Sequence, residues 1–244
     1  MPILANQMSP SNQTSLANQI ADNSQNLALF RGLSPADVAR LREHLHRKIF
    51  RSGSLILAMG QHNPAVYFVV RGTLRISTER AGSQVTVNIV GPGDMLGEIS
   101  GLDHLGHSAD VTALEEADLL WMGRDVFDAH LRSVPMLAYN LALILSRRVR
   151  LSTSRIEMLA TLDVPGRIAH QLLAFAREYG EPAEDGSTRI PLRLTQSELA
   201  ELVGATREWI NQSLRDFKRL GIISIGCDHH ITLHDKAALA KRCD

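Results

Sequence analysis

An α+β fold built in successive blocks is predicted from three observations. Residues 49–122 are short runs rich in Val, Ile and Thr separated by glycine-bearing turns, an apolar repeat of near-heptad spacing follows Pro135, and two capped helices with a hairpin follow Pro165-Gly166. A chain of 244 residues exceeds the usual single-core size, so two domains are expected. The predicted blocks are a tail over 1–25, a barrel or roll domain over 26–136, a long helix over 137–163 and a C-terminal domain over 164–244.

The tail is read from composition. Residues 1–25 are rich in Asn, Gln and Ser and lack the basic start and sustained apolar run of a secretory signal. The next block opens with Leu33-Ser-Pro-Ala-Asp, an N-cap signal at Ser34 with proline at the first helical position, followed by apolar Val38, Leu41 and Leu45, which predicts a short amphipathic helix. The runs Val66 to Val70, Leu74 to Ser77 and Val85 to Val90 then read as strands, with turns at Gly53, Gly72, Gly82 and Gly91-Pro92-Gly93-Asp94. Short strands in this number predict a small antiparallel barrel or roll.

In the third block Leu141, Leu145, Val149, Ser152, Ile156 and Leu159 are spaced four, four, three, four and three apart, a pattern expected of a helix that pairs with its twin in a homodimer. Packing of the helix on its own domain is the alternative. The longest apolar stretch, Leu137 to Leu145, is interrupted by Tyr139 and Asn140 and too short to cross a bilayer, so no membrane span is expected. After Pro165-Gly166 the pattern predicts a helix over 167–178, a loop from Gly180 to Ser187, two more helices and a hairpin near Ile222 to Leu233.

Composition excludes several chemistries. Two cysteines, Cys227 and Cys243, cannot supply a four-thiolate cluster or a disulfide framework, and they fit a reducing cytoplasm. No metal site is expected, because the ten histidines are scattered. Lys plus Arg and Asp plus Glu both number 26, and residues 165–244 hold eleven of each sign, so no broad basic surface announces a nucleic-acid partner. Any such function must come from local arrangement.

Leu194 to Ile223 supplies that arrangement. Thr195 with Glu198 forms a capping box, Leu199 and Leu202 give an inward face, Gly204 allows a tight turn and Thr206 caps a second helix. On that helix Ile210, Leu214 and Phe217 share one face, while Arg207, Glu208, Asn211, Gln212 and Arg215 project outward. Arg suits the acceptors of guanine and Glu the amino group of cytosine, so Arg207 and Glu208 are candidates to read a G·C step, with Lys218 and Arg219 placed for phosphates. Candidate DNA-binding residues are therefore Thr195, Thr206, Arg207, Glu208, Asn211, Gln212, Arg215 and Lys218. Trp209 either touches DNA or packs on the domain, and packing is the expectation.

These segments, with Leu162-Asp-Val-Pro-Gly-Arg-Ile-Ala and Gly93-Asp-Met-Leu-Gly-Glu, resemble the cyclic-AMP receptor protein and FNR superfamily of regulators, and the resemblance covers nearly everything after Asn26. It implies a double-stranded β-roll sensor, a long dimerisation helix and a C-terminal winged helix-turn-helix acting on palindromic double-stranded DNA, with RNA polymerase as a further partner and no enzymatic activity. In the family the residues matching Arg207 and Glu208 contact bases, whereas an arginine stands where this chain has Gln212, which implies a changed half-site. The resemblance also implies a ligand cassette of Gly97, Glu98, Ile99, Ser100, His107, Ser108 and Ala109, with Arg148 reaching back to Glu98 and hydroxyls at Ser152 and Thr153 near the base of the nucleotide. His107 occupies the position of a phosphate-gripping arginine. A shorter, largely neutral side chain there holds a cyclic monophosphate less firmly. Cyclic AMP and cyclic di-GMP are the candidate effectors, and a regulator without any small-molecule ligand is the alternative.

Overall fold

The computed structural model describes residues 27–62, 65–80, 82–103 and 105–243. The expected tail over 1–25 lies outside the described residues. A 3-10 turn (Ala28–Phe30) and helix α1 (Pro35–Arg42) open the fold, with the Ser34 hydroxyl accepting from the Asp37 amide as the N-cap signal predicts.

Eight strands follow: β1 (His46–Phe50), β2 (Leu55–Leu57), β3 (Ala65–Arg71), β4 (Leu74–Arg80), β5 (Ser83–Val90), β6 (Met95–Leu96), β7 (Asp110–Ala113) and β8 (Ala117–Gly123). They form two antiparallel four-stranded sheets, ordered β1-β8-β3-β6 and β2-β7-β4-β5. Helix α2 (Glu98–Asp103) sits between β6 and β7. The roll expected from the glycine-punctuated strands is thus present, and its first strand begins at His46, three residues before the apolar texture shows it. His46, Arg47, Lys48 and Ile49 are exposed, which is why a search for buried runs passes over them.

Helices α3 (Arg124–Ser133) and α4 (Pro135–Thr161) lead out of the roll. Leu137 and Leu141 are buried against it, and Ile144 and Leu145 pack there in part. The expected seam is therefore corrected: Leu141 and Leu145 belong to the chain's own core. The open stripe of α4 runs through Tyr139, Ala142, Ser146, Val149, Thr153, Ile156 and Ala160, alternately three and four residues apart, with Val149 65% and Ile156 69% exposed. Apolar residues line both faces of this helix, leucine on the buried one and Val149 and Ile156 on the open one, so periodicity alone merged them. Ser152 falls beside the stripe and Thr153 on it, the reverse of the expected order.

The C-terminal domain comprises α5 (Val164–Tyr179), β9 (Glu181–Pro182), β10 (Thr188–Ile190), α6 (Gln196–Val203), α7 (Arg207–Arg219), β11 (Ile223–Ile225), β12 (Ile231–Leu233) and α8 (Lys236–Ala240). Its sheet runs β11-β12-β10-β9. The segment expected as a loop over Gly180 to Ser187 contains β9, because Arg189 and Thr188 pair with Glu181 and Pro182. Ile168, Leu172, Phe175, Leu199, Leu202, Ile210, Leu214 and Phe217 form the core, which Ile89 of β5 joins from the roll at 0% exposure.

Candidate ligand pocket and DNA interface

The pocket begins at a glycine. Gly97 has φ +81°, and a Cβ there would stand 2.7 Å from the Ala65 carbonyl oxygen, so only glycine lets β6 turn into α2 so close to β3. That turn delivers Glu98 inward at 1% exposure. Arg148, from the middle of α4, pairs with Glu98 Oε1 and also donates to the Met95 carbonyl. Burial pushes the Glu98 carboxyl above its ordinary value, with the Arg148 guanidinium opposing the shift. Glu98 Oε2 has no hydrogen-bond partner among the described residues.

Two residues along the same helix, Ser100 Oγ lies 2.7 Å from His107 Nδ1. His107 is 5% exposed, burial first and His62 second hold its pKa below the ordinary histidine value, and its Nε2 lacks a partner. The backbone around His107 is fixed, since its amide and carbonyl bond to Gln61 and Gly60. Helix α2 thus carries the ion pair of Glu98 with Arg148 and the bond of Ser100 to a neutral imidazole, and each of these holds one buried polar atom without a partner. Of the other expected ligand residues, Ile99 and Ser108 are exposed, Gly97 and Ala109 half-buried, and Ser152 and Thr153 lie on the open side of α4, where the Thr153 hydroxyl donates to the Val149 carbonyl at 3.1 Å.

The second site is the outer face of α7. Gly204, at φ +63°, ends α6 in the left-handed region and turns the chain so that α7 starts three residues later. Thr206 accepts from the Trp209 amide, and the capping box of Thr195 and Glu198 is complete. Thr195 is thereby engaged in starting α6, with its hydroxyl and amide both on Glu198. Thr206, Arg207, Glu208, Gln212, Arg215 and Lys218 are exposed together. Asn211 is half-buried, and its Oδ1 accepts from Gln196 at 3.0 Å, so its amide donors face outward from a fixed hinge on α6. The Glu208 carboxyl is held below its ordinary value, first by its backbone amide and then by the Thr206 hydroxyl, so it is an acceptor at neutral pH. Trp209 is 56% exposed, which corrects the expectation that it packs on the domain. Helix α7 already buries Ile210, Ser213, Leu214 and Phe217, and Trp209 lies on a flank that this core does not reach.

In the wing, His230 lies 2.6 Å from Asp228, and this hydrogen bond chiefly lowers the Asp228 pKa to about 2. His229 takes φ +63° in the turn.

Contacts that the sequence did not reveal join the two sites. Tyr179 donates to Asp94 at 2.7 Å, Arg147 pairs with Glu178 at 2.7 Å, and the Arg193 amide donates to Thr73 at 2.9 Å. Thr86 donates to Glu201, and Leu192 crowds Gly91. Arg147 and Arg148 are consecutive, so one turn of α4 holds the pocket carboxylate and the C-terminal domain at once. These partners lie 31 to 120 residues apart in the chain, and no local pattern marks them. Between the domains, Asp163 caps α5 by accepting from the Gly166 amide at 2.8 Å, and Arg167 donates to the Leu162 and Leu159 carbonyls.

Residues 166–242 match the Crp-like helix-turn-helix domain, and residues 47–133 match the cyclic nucleotide-binding domain. The chain is 33% identical over 215 residues to the CRP-like cAMP-activated global transcriptional regulator of Mycobacterium tuberculosis, covering 88% of this chain and 95% of that protein. It is 31% identical over 199 residues to the cyclic AMP receptor protein of Thermus thermophilus, covering 81% and 88%. A crystal structure of a CRP/FNR-family transcriptional regulator from Thermus thermophilus superposes with a TM-score of 0.62 at 26% identity, covering 81% of this chain and 98% of that one. The c-di-GMP responsive regulator CLP of Xanthomonas campestris shares the fold, with a TM-score of 0.66 at 21% identity over 83% of this chain and 100% of that one.

Proposed function

This chain belongs to the CRP/FNR superfamily of transcription regulators, and we propose that it acts as a homodimer on palindromic DNA under the control of cyclic AMP bound in its β-roll. It is a DNA-binding regulator with a cyclic nucleotide-binding domain, not an enzyme. No helix among the described residues is long and apolar enough to cross a membrane.

The observation that carries the ligand reading is the pair of buried atoms without hydrogen-bond partners, Glu98 Oε2 and His107 Nε2, one on α2 and the other on the residue bonded to Ser100 of α2. A buried polar atom without a partner costs about 1–3 kcal/mol, and a ligand that satisfies it recovers that energy on binding. The ribose hydroxyl of a cyclic nucleotide suits Glu98 Oε2, while Arg148 keeps the other carboxylate oxygen neutralised. His107, with Ser108 and the backbone around Ala109, faces the phosphate. The proposed dimer pairs the open stripes of α4, which places Thr153 and Ser152 of each protomer beside the partner's roll. Ligand binding then biases the DNA domains through Arg147 and Arg148, with the break between α4 and α5 at Leu162-Asp163 as the hinge. On a promoter the dimer engages RNA polymerase.

A regulator that needs no ligand is the second reading, favoured by the neutral His107 where a cation would grip phosphate. Calorimetric titration of the full-length protein with cyclic AMP, cyclic GMP and cyclic di-GMP separates the readings. Saturable binding of cyclic AMP, lost in Glu98→Ala, supports the proposal. Binding of cyclic di-GMP alone reassigns the effector, and binding of none favours the second reading. Sedimentation tests the dimer, which Ile156→Glu should dissociate.

A further inference from the structure

The outer stripe of α7 contains a relay that fixes one amide. Asp216 Oδ1 pairs with Arg219 at 3.0 Å, and Asp216 Oδ2 accepts from Gln212 Nε2 at 3.1 Å. Paired with the Arg219 guanidinium, the Asp216 carboxylate offers acceptors alone, so only the NH2 end of Gln212 can face it. The amide orientation follows from chemistry and not from a choice between two similar ends. One N–H of Gln212 is used, and a second N–H remains beside the carbonyl Oε1. Gln212 is exposed and lies one helical turn beyond exposed Glu208, on the side away from buried Ile210, Leu214 and Phe217.

One donor next to one acceptor in a planar group complements the major-groove edge of adenine, whose N7 accepts and whose N6 amino group donates. Guanine presents two acceptors and would set its O6 against Oε1. Thymine offers an acceptor and a methyl, and cytosine only an amino donor. We propose that Gln212 is a specificity-determining residue that reads adenine, and that Asp216 is a positioning residue that holds its amide in the reading orientation. The inference rests on the reading of α7 as the helix that enters the major groove. Glu208, an acceptor only, takes the amino group of cytosine. Four residues of helix rise span roughly 6 Å, against about 3.4 Å per base along a strand. The adenine therefore falls within about two base pairs of that cytosine. Each half-site carries an A·T pair that an arginine at this position would not select.

The test is selection of binding sites from random duplex DNA by the full-length protein, with cyclic AMP present and absent, for the wild type, Gln212→Ala, Asp216→Ala and Asp216→Asn. The wild type should select adenine at one position per half-site, and 7-deazaadenine there, which lacks the N7 acceptor, should weaken binding about tenfold. Gln212→Ala should erase the preference at that pair alone. Asp216→Ala should relax the same pair, and Asp216→Asn, whose carbonyl can accept the same N–H, should restore it. Two outcomes overturn the inference while leaving the DNA reading intact: an unchanged base profile in Gln212→Ala, or a G·C pair as the affected position. A wild type that selects no sequence in either condition overturns both.

Discussion

In the pocket, polar side chains face each other: Glu98 is bound by Arg148, and Ser100 by His107. On α7 they face solvent, and the hydrogen bonds they do make, Gln196 to Asn211 and Gln212 to Asp216, orient the groups and leave their outer atoms free. The pocket resembles a closed circuit that a ligand must join, whereas the helix is a finished reading surface with nothing to displace. In the proposed mechanism the surface for DNA is already built, and the adjustable part is the charge balance around Arg148 and Arg147, the latter also holding Glu178 of the DNA domain.

The sharpest way to break that contrast is to open the circuit. Arg148→Met leaves a carboxylate at 1% exposure without its counter-charge and should destabilise the protein by about 3 kcal/mol. Adding Glu98→Gln should restore most of the loss, read from thermal or denaturant midpoints of the single and double variants. Equal loss in the double variant would show that Arg148 matters for packing alone.

On the helix, by contrast, Arg207→Ala should leave stability almost unchanged and weaken specific DNA binding by about 1–3 kcal/mol, with selectivity relaxed at one base pair. Footprints identical to the wild type would remove Arg207 from the interface.

Next in size is the phosphate corner. His107→Arg supplies a permanent, forked cation in place of a neutral ring and should tighten cyclic AMP about tenfold. A weaker complex in calorimetry would show that the His107 bond to Ser100, and not charge, shapes the site.

The smallest effect concerns pH. The folded-state pKa of His107 lies below the ordinary 6.5, so above that value the group is neutral in both states and contributes no pH dependence. As pH falls below it the unfolded chain takes the proton first, and stability decreases. His130 and His170 are shifted the same way by burial. Between pH 7.5 and 5.5 the denaturation midpoint of His107→Gln should therefore fall less steeply than that of the wild type.

Much of this was legible in the chain itself, and the misses share a cause. Strand runs, both helix caps, Gly204 and the outward set on α7 are local patterns, and each appears as read except Asn211, which is half-buried and bonded to Gln196. The α4 seam differs from the expectation because Leu141 and Leu145 pack on the chain's own roll while Val149 and Ile156 stay open. Trp209, expected to pack on the domain, is exposed because the α7 core is complete without it. Asp94 with Tyr179, Thr86 with Glu201 and Ile89 in the DNA-domain core are tertiary contacts between distant segments. Nothing in the local sequence of either partner points to the other. Gln212 was visible as a departure, but its orienting partner Asp216 was not, since acidic residues on an exposed helix normally read as solvated.

The most direct test of the central claim is the affinity of the purified full-length protein for its own selected palindrome with and without saturating cyclic AMP. Coupling between the pocket and α7 predicts a change of about five- to 150-fold, a coupling of 1–3 kcal/mol, abolished in Glu98→Ala. Equal affinity in both conditions, with cyclic AMP demonstrably bound, would contradict it.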